Sequence, residues 1–252
     1  MAALDEALLK MLSSENDSFK NIKIKLKKPE DYIDVRNFII FSPENSSLRI
    51  FEKEGQIEPL GINGEGLFKL LSVLSQDNEN ETFSEIRKYL SLFGWFEDIK
   101  VEIEEKTDNI KIFDSYLCKK THFFDQRSAN EGFLFLLFYF TLFSTNLTPK
   151  FFAIDNIDAS LNPKLCSELM RKLRDLSNKH NKQAIFTTHN PAILDGLNLN
   201  DQSQRLFVVY RGIKGDTKVR RIAQKENIPS ETPRKLSELF MRGILGGLPT
   251  GF

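Results

Sequence analysis

The sequence has little of several features that point to common functional classes. It contains two cysteines, Cys118 and Cys166, and no C-x-x-C pair, so it offers neither a disulfide framework nor a zinc-finger pattern. The 35 Lys and Arg balance the 35 Asp and Glu, which removes the bulk electrostatic case for a nucleic-acid or membrane-surface protein. The N-terminus has no secretion signal, and the longest apolar run, Phe133 to Phe143, is too short to span a bilayer. We expect a cytoplasmic protein with no membrane association.

Phenylalanine is the residue type that is abundant. The chain of 252 residues has 22 Phe and is 40% hydrophobic, so it has enough apolar surface for a large core. We expect the run from Phe133 to Phe143 to be a helix packed behind a sheet. If a neighbouring lobe is missing, part of this Phe surface is expected to be exposed as an apolar docking surface.

The second half of the chain predicts an α/β fold with a parallel sheet. Continuous apolar runs at Phe151 to Ile154 and Ala184 to Thr187 are typical of buried strands, and Pro163 to Lys179 between them has leucines at helical spacing. A strand, a helix and a strand in this order indicate parallel strands joined by a crossover. A hairpin of Arg205 to Tyr210 with Lys218 to Ile222 and an amphipathic segment over residues 236–245 follow.

The first half predicts shorter elements. We expect a helix over residues 1–20, a strand over Ile22 to Leu26, an antiparallel meander of Phe38 to Phe41 and Leu48 to Phe51, helices over Leu67 to Leu74 and Phe83 to Phe93, and a hairpin of Val101 to Ile103 with Ile110 to Phe113. The predicted organisation is an N-terminal helix and β-meander over residues 1–60, a helical and hairpin insert over 61–125, and the α/β lobe over 126–252.

Two polar side chains follow neighbouring strands of the predicted sheet. Asp155 ends the run FFAID, and His189 comes shortly after the next strand in FTTHN. Ligands of α/β folds bind at the carboxyl ends of parallel strands, so an Asp and a His there form a candidate phosphate-handling edge. A buried Asp at a strand end is costly unless a cation or hydrogen bonds receive it, which makes a metal-bound nucleotide a natural partner. A turn or capping role for Asp155 is the structural alternative.

The segments FFAIDNIDASLNP and AIFTTHNPAILD resemble the Walker B, D-loop and switch-histidine segments of ABC-like ATPases of the SMC and OLD type. These are AAA-family proteins of bacteria, often found in phage-defence systems. The resemblance implies an ABC-ATPase-like P-loop NTPase lobe that binds ATP and Mg²⁺. Asp155 would act on Mg²⁺ through water, Ser160 would lie in the D-loop that meets a second subunit, and His189 would sense the γ-phosphate.

Such families also have a signature motif at the start of a helix. The segment RSANEG occupies that place before the Phe-rich run, and a helix N-terminus suits phosphate. The alignment leaves open whether Ser128 or Asn130 takes the role of the signature serine. Glu131 and Gly132 complete the candidate nucleotide-binding residues.

The sequence departs from the resembling families at two points. Asn156 replaces the glutamate that normally polarises the attacking water, and an amide cannot accept the proton, so slow hydrolysis or a substitute base such as Asp158 is expected. In addition, the dipeptide Gly-Lys occurs nowhere, so the chain has no G-x-x-x-x-G-K-[ST] loop to cradle phosphates. The chain therefore looks like the C-terminal portion of such an ATPase: a truncated gene, half of a split pair, or a degenerate subunit.

Two functional hypotheses follow. In the first, the chain is an ATP-binding subunit whose site is completed by a P-loop from an upstream segment or a partner, and it hydrolyses ATP only then. The partner would be a P-loop chain or a second copy, bound through the signature and D-loop, with nucleic acid reached through an effector. In the second, the chain is a degenerate, non-enzymatic lobe acting as an interaction or sensor subunit. Separately, Lys214, Lys218, Arg220 and Arg221 either contact a phosphate backbone or guard a strand edge.

Overall fold

The computed structural model describes residues 38–49, 59–76, 81–103, 109–118, 122–223 and 235–247. All of them belong to one compact unit, Val35–Phe252. The helix predicted over residues 1–20 and the strand predicted over Ile22 to Leu26 lie outside the described residues. The elements, in chain order, are β1 (Ile39–Phe41), α1 (Asn45–Arg49), α2 (Leu67–Ser75), α3 (Glu81–Leu90), β2 (Phe96–Glu102), β3 (Asn109–Asp114), β4 (Phe123–Asp125), α4 (Glu131–Ser144), β5 (Phe151–Ile154), α5 (Pro163–His180), β6 (Gln183–Phe186), α6 (Pro191–Leu194), β7 (Leu206–Arg211), β8 (Thr217–Ile222) and α7 (Leu236–Met241).

A parallel sheet of three strands forms the centre of the unit. Its order is β1-β5-β6, and α5 connects β5 to β6, as the apolar pattern predicts. Asn162 caps α5 because its side-chain oxygen accepts from the backbone N–H of Leu165 at 3.0 Å, and Pro163 fits the first turn, where no N–H is needed. The α/β fold with a parallel-sheet core is confirmed.

Helix α4 forms the hydrophobic core against this sheet. Every residue from Gly132 to Ser144 is buried, and the ring of Phe143 lies 5.1 Å from that of Phe152 on β5. Helices α1, α2, α3 and α5 all contact α4, so the helix has no solvent-facing side. The expectation of an exposed Phe surface on this helix is wrong: the chain covers these side chains with its own elements.

The predicted meander near the N-terminus is also wrong. Residues Leu48 and Arg49 belong to helix α1, whose first turn follows Pro43, and β1 pairs in parallel with β5 rather than with a neighbour in sequence. The Arg49 guanidinium donates to the carbonyl of Gln126 at 3.1 Å, and Leu48 is fully buried. These distant contacts decide the conformation, which a short apolar run does not specify by itself.

A second, antiparallel sheet has the order β2-β3-β4. The hairpin of β2 with β3 confirms the predicted pairing, whereas β4 is an addition that the sequence pattern did not predict. Helices α2 and α3 confirm the two predicted helices of this region. Because β1 joins the sheet of β5, residues near the N-terminus contribute to the core of the lobe. The boundaries at residues 60 and 125 stay a prediction.

The C-terminal part adds a separate two-stranded sheet. Strands β7 and β8 pair with each other as predicted, and α7 lies within the predicted segment 236–245. The side chain of Asp195, which follows α6, accepts from the backbone N–H of Ser237 at 3.0 Å and from its hydroxyl at 2.8 Å. These bonds tie α7 to α6. No helix among the described residues is long and apolar enough to cross a membrane.

Candidate functional site

The carboxyl end of the parallel sheet places Asp155 beside Thr187. Asp155 follows β5, and its N–H donates to the carbonyl of Phe41 at 2.9 Å. The Thr187 hydroxyl donates to the Asp155 carboxylate and accepts from the N–H of Asn156 at 2.9 Å. Asp155 and Asn156 are exposed, so the expected buried, unpaired carboxylate is instead a hydrogen-bonded carboxylate that faces solvent. Thr187 is the residue that sequence reasoning missed as an organiser of this edge.

A second pair of bonds connects the same two segments one residue further on. The Thr188 hydroxyl donates to the Asp158 carboxylate and accepts from the N–H of Asn190 at 3.0 Å. Burial, followed by the nearby Asp158 charge, raises the pKa of Tyr139, whose hydroxyl has no hydrogen-bond partner among the described residues. The Asp158 carboxylate therefore helps to fix the loop after β5 and does not stand free.

His189 follows Thr188 in the chain and precedes helix α6 by one residue. It is exposed, and no hydrogen bond engages its ring within the described part of the chain. The next residue, Asn190, caps α6 through its side-chain oxygen, which accepts from the N–H of Ala192 at 3.0 Å. The Asn190 amide also lies 3.6 Å from the sulfur of Cys166 on α5. The backbone on both sides of His189 is thus held while its imidazole stays accessible.

The loop between β5 and α5 contains two residues in the left-handed region. Asn156 has φ of 51° and Ser160 has φ of 58°, a conformation that costs a non-glycine residue free energy. Hydrogen bonds hold the loop in this shape: the N–H of Ile157 donates to the carbonyl of Thr187 at 3.1 Å, and that of Leu161 to the carbonyl of Asp158 at 3.1 Å. Ser160 is exposed at the outer turn of the loop.

The start of α4 packs against this loop. Asn130 caps α4, since its side-chain oxygen accepts from the N–H of Phe133 at 2.8 Å. A Cβ added to Gly132 would lie 3.0 Å from the carbonyl oxygen of Ser160, so a glycine here permits the close approach. Ser128 lies in the preceding turn, where its N–H donates to the Asp125 carboxylate at 3.0 Å, and Glu131 is half-buried in the first turn of α4.

A groove brings the signature-like and D-loop-like segments together. It has a volume of about 470 Å³, and its lining includes Asn130, Gly132, Ser160, Asn162 and Lys164. Ser128 does not line it. The opposite wall of the groove contains Trp95 and comes from the turn before β2. The sequence did not predict this wall. Of the two candidates for the signature-serine position, Asn130 is the one that shares a surface with Ser160.

Within the described residues, one face of the parallel sheet has two exposed isoleucines. Ile40, Ala153 and Ile185 are neighbours in register; Ile40 and Ile185 are 56% and 50% exposed, whereas Ala153 between them is 7% exposed. Because side chains alternate between faces, positions 155 and 187, two residues further along, lie on this same face. The apolar row therefore leads directly to the pair formed by Asp155 and Thr187.

The donor set at this edge fits a magnesium ion bound mainly through water. One exposed carboxylate and one hydroxyl are hard oxygen ligands of the kind Mg²⁺ prefers, and Mg²⁺ usually keeps several waters. Within the described residues, no group of three His, Cys, Asp or Glu side chains is close enough to hold a metal. Asp155 would need phosphate oxygens and water to complete the coordination.

A comparison with protein families identifies the chain as a nucleotide-binding domain of the ATPase type. The profile of a family described as "AAA domain, putative AbiEii toxin, Type IV TA system" matches residues 5–195. Since this match takes in well over half of the sequence, the chain belongs to that family and is an ABC-like AAA ATPase domain. No curated protein matches the sequence.

Solved structures of SMC ATPase heads resemble the chain at low identity. An SMC head bound to the C-terminal winged-helix domain of ScpA is 14% identical, with 74% of this chain and 55% of that chain aligned and a TM-score of 0.48. The Smc head of Pyrococcus yayanosii with a coiled coil and joint is 12% identical, over 65% of this chain and 29% of that chain, with a TM-score of 0.46. An SMC ATPase from work on ATP-driven dimerisation and DNA-stimulated activation is 15% identical, over 61% and 89%, with a TM-score of 0.43. The chain thus spans 55% and 29% of the length of the first two of these structures.

Proposed function

We propose that this chain supplies one part of an ATP site and that a separate lobe supplies the phosphate-binding loop. That lobe lies upstream in the same polypeptide or on a partner chain. The observation that carries the proposal is the exposure of Ile40 and Ile185 on the sheet face on which Asp155 and Thr187 also lie. The absence of Gly-Lys from the sequence agrees with it, because the loop that cradles phosphates has to come from elsewhere.

Parallel sheets in α/β proteins are covered on both faces. Here α4 packs on one face, and the other leaves Ile40 and Ile185 half-exposed. Covering these two side chains would contribute roughly 2 kcal/mol, since full burial of an isoleucine is worth about 1.5–3 kcal/mol. A lobe seated on this row would bring its phosphate-binding loop next to Asp155.

The proposed roles follow from the chemistry of the side chains. Asp155 would hold a water of the Mg²⁺ shell, and His189 would donate to the γ-phosphate. Asn156 would orient the attacking water without accepting its proton, so turnover would be slow. Bound Mg²⁺ would supply charge neutralisation at the β- and γ-phosphates.

The groove would serve a nucleotide held by the opposing lobe or by a second copy of the chain. Asn130 or Ser128, with the N-terminal amides of Glu131 and Gly132, would contact its phosphates, and Ser160 would meet the facing subunit. The family takes its description from a putative toxin of a type IV toxin–antitoxin system. We propose a role in phage defence, where ATP binding would gate an effector that reaches nucleic acid.

Calorimetric titration of Mg-ATP tests this assignment. The titration compares the chain alone with the chain joined to, or mixed with, the P-loop lobe encoded next to it. We expect binding only when the lobe is present. Asp155→Asn should weaken it at least tenfold, whereas Asp216→Asn, a matched exposed change on the hairpin, should leave it unchanged. Absence of Mg-ATP binding in every mixture would refute the proposal.

The non-enzymatic alternative is favoured by one observation: an amide, Asn156, stands where a general base is needed. The same mixtures separate the two functions when steady-state ATP hydrolysis is measured. An ATPase should show slow turnover that rises with Asn156→Glu and falls with His189→Ala. Equal and negligible rates for all three proteins would leave the sensor or interaction subunit as the function.

A further inference from the structure

The hairpin of β7 and β8 has a net positive charge, whereas the whole sequence has none. Between residues 205 and 222 there is one acidic residue, Asp216, although the charges of the whole sequence balance. The same segment has six cations, all exposed: Arg205, Arg211, Lys214, Lys218, Arg220 and Arg221. Basic residues protect exposed strand edges from aggregation. That role does not account for Lys214 in the connecting turn or Arg205 before the strand.

Three of these six cations have a partner among the described residues. Arg220 donates to the carbonyl of Leu245 at 2.6 Å, and Arg211 donates to the carbonyl of Gly215 at 3.1 Å. Lys218 lies 3.8 Å from the Asp216 carboxylate. Within the part of the chain that the structure describes, no hydrogen bond or ion pair engages the remaining three, which are Arg205, Lys214 and Arg221. These three are available to an anionic ligand.

The two faces of the hairpin differ in what covers them. Val208 is buried and lies against Gly247, so one face packs on the segment that follows α7. On the other face Phe207, Val209 and Val219 are 51%, 61% and 63% exposed. The free face is therefore apolar in its middle.

The register places arginines at both ends of this free face. Arg221 is opposite Phe207, Val219 is opposite Val209, and Arg211 lies at the far end. Directly opposed residues of an antiparallel pair have their Cβ atoms about 5 Å apart, so the aromatic ring and the guanidinium stand side by side. Arg211 lies four positions after Phe207 along the extended strand, a distance of roughly 13 Å.

We propose that the free face of this hairpin binds single-stranded nucleic acid. An aromatic ring next to a cation suits a nucleotide, whose base stacks on the ring while its phosphate contacts the cation. Unstacked bases occur in single strands, whereas a duplex presents mainly its backbone and groove edges. The excess of positive charge disfavours pairing of the hairpin with a second copy of itself, and Lys214 and Arg205 extend the cationic track beyond the strands.

Fluorescence anisotropy of labelled 15-mers of deoxythymidine and of uridine tests the proposal with the full chain, in the absence of ATP. We expect binding to both strands that weakens as the salt concentration rises. Arg221→Glu combined with Lys214→Glu should lower the affinity at least tenfold and reduce the salt slope by about 0.7 for each lost phosphate contact. Phe207→Ala should lower the affinity several-fold and leave the salt slope unchanged, because it removes stacking alone.

The matched control is Lys88→Glu combined with Lys150→Glu, which makes the same charge change at exposed positions on α3 and before β5. The control should bind like the original chain, and circular dichroism should show that all variants are folded. Equal losses in the control and the hairpin variant would overturn the proposal, as would absence of salt-dependent binding. Tighter binding to a duplex of the same length, or to anionic vesicles but not to oligonucleotides, would also overturn it. ATP is not used, so the outcome is independent of the proposed ATP site.

Discussion

At the scale of single residues, the candidate site depends on small contacts between two loops. Thr187 and Thr188 each donate a hydroxyl to a carboxylate of the segment after β5, to Asp155 and Asp158 respectively. A glycine, Gly132, lets the carbonyl of Ser160 approach the start of α4. None of these three supporting residues is itself a reacting group, yet together they fix where Asp155 and Ser160 lie.

Replacement of Gly132 by alanine should destabilise the chain. The added Cβ would lie 3.0 Å from the Ser160 oxygen and 3.3 Å from a Leu161 methyl, so the loop has to shift. We expect a loss of about 1–3 kcal/mol in the free energy of unfolding, the usual cost of overpacking, despite the better helix propensity of alanine. Urea denaturation measures it.

The matched variant is Gly94→Ala in the same groove. A Cβ there meets no atom within 4 Å, so its effect should stay within about 0.5 kcal/mol. Equal stability of the two variants would show that the contact between Gly132 and Ser160 is not tight.

At the scale of elements, the C-terminal end of helix α4 contacts a buried lysine, Lys182. The Lys182 ammonium donates to the carbonyl of Leu142 at 2.7 Å and also to the Thr148 hydroxyl. The last carbonyls of a helix lack partners within the helix, so the Lys182 side chain satisfies one of them, although burial opposes its charged form. Burial, with a smaller effect of the Lys150 charge, lowers the pKa of Lys182 to about 7.

The lowered pKa makes stability depend on pH. Between pH 7 and about 10.4, the ordinary pKa of lysine, the unfolded chain binds more protons at this residue than the folded chain does. Stability should therefore rise with pH in this window, and it should be lowest below pH 7, where the buried ammonium is charged. Urea denaturation at pH 7, 8 and 9 measures the slope, which is at most about 1.4 kcal/mol per pH unit.

Lys182→Met should flatten this slope, whereas Lys150→Met, at an exposed position, should preserve most of it. An unchanged slope in Lys182→Met would assign the pH dependence to other groups.

Sequence patterns predicted the elements whose apolar residues are contiguous or periodic. Helix α4, strand β5, helix α5 and strand β6 follow from such patterns, and so does the placement of Asp155 and His189 at one sheet edge. Strand β4, helix α1 and the parallel pairing of β1 depend on partners far along the chain, such as the bond from Arg49 to Gln126, so local pattern does not encode them. The groove wall at Trp95 was not predicted for the same reason. The role of Thr187 was not predicted because threonine is common at the ends of strands, whether or not they form a site.

At the scale of the whole molecule, the described unit is complete on one side of its sheet and open on the other. The open side is marked by the exposed side chains of Ile40 and Ile185. The charges of the whole sequence balance although the hairpin is basic, and most of the described Phe side chains lie in the core around α4. Composition alone therefore predicts neither the apolar contact surface of the sheet nor the basic surface of the hairpin.

Polar residues on the open face should change association without affecting folding. We expect Ile40→Thr combined with Ile185→Thr to lower self-association at micromolar concentrations, measured by sedimentation velocity, because half-exposed isoleucines are adhesive. The free energy of unfolding should change by less than about 1 kcal/mol. Phe152→Ala, on the covered face of the same sheet, should instead cost about 3–5 kcal/mol. Unchanged association in the double variant would mean that this face is not the adhesive surface.

The burial of α4 has a consequence for synthesis on the ribosome. The helix is apolar on all sides, and two of its covering elements, β5 and α5, are encoded after it. Roughly 40 further residues have to be translated before β6 completes the sheet, which takes about 2–8 seconds at 5–20 residues per second. During that interval the nascent chain presents an apolar segment of 11 residues that its own later sequence has yet to cover. Because transiently exposed apolar surface promotes aggregation, we expect the yield of folded protein to fall when the stretch after Phe143 is translated slowly.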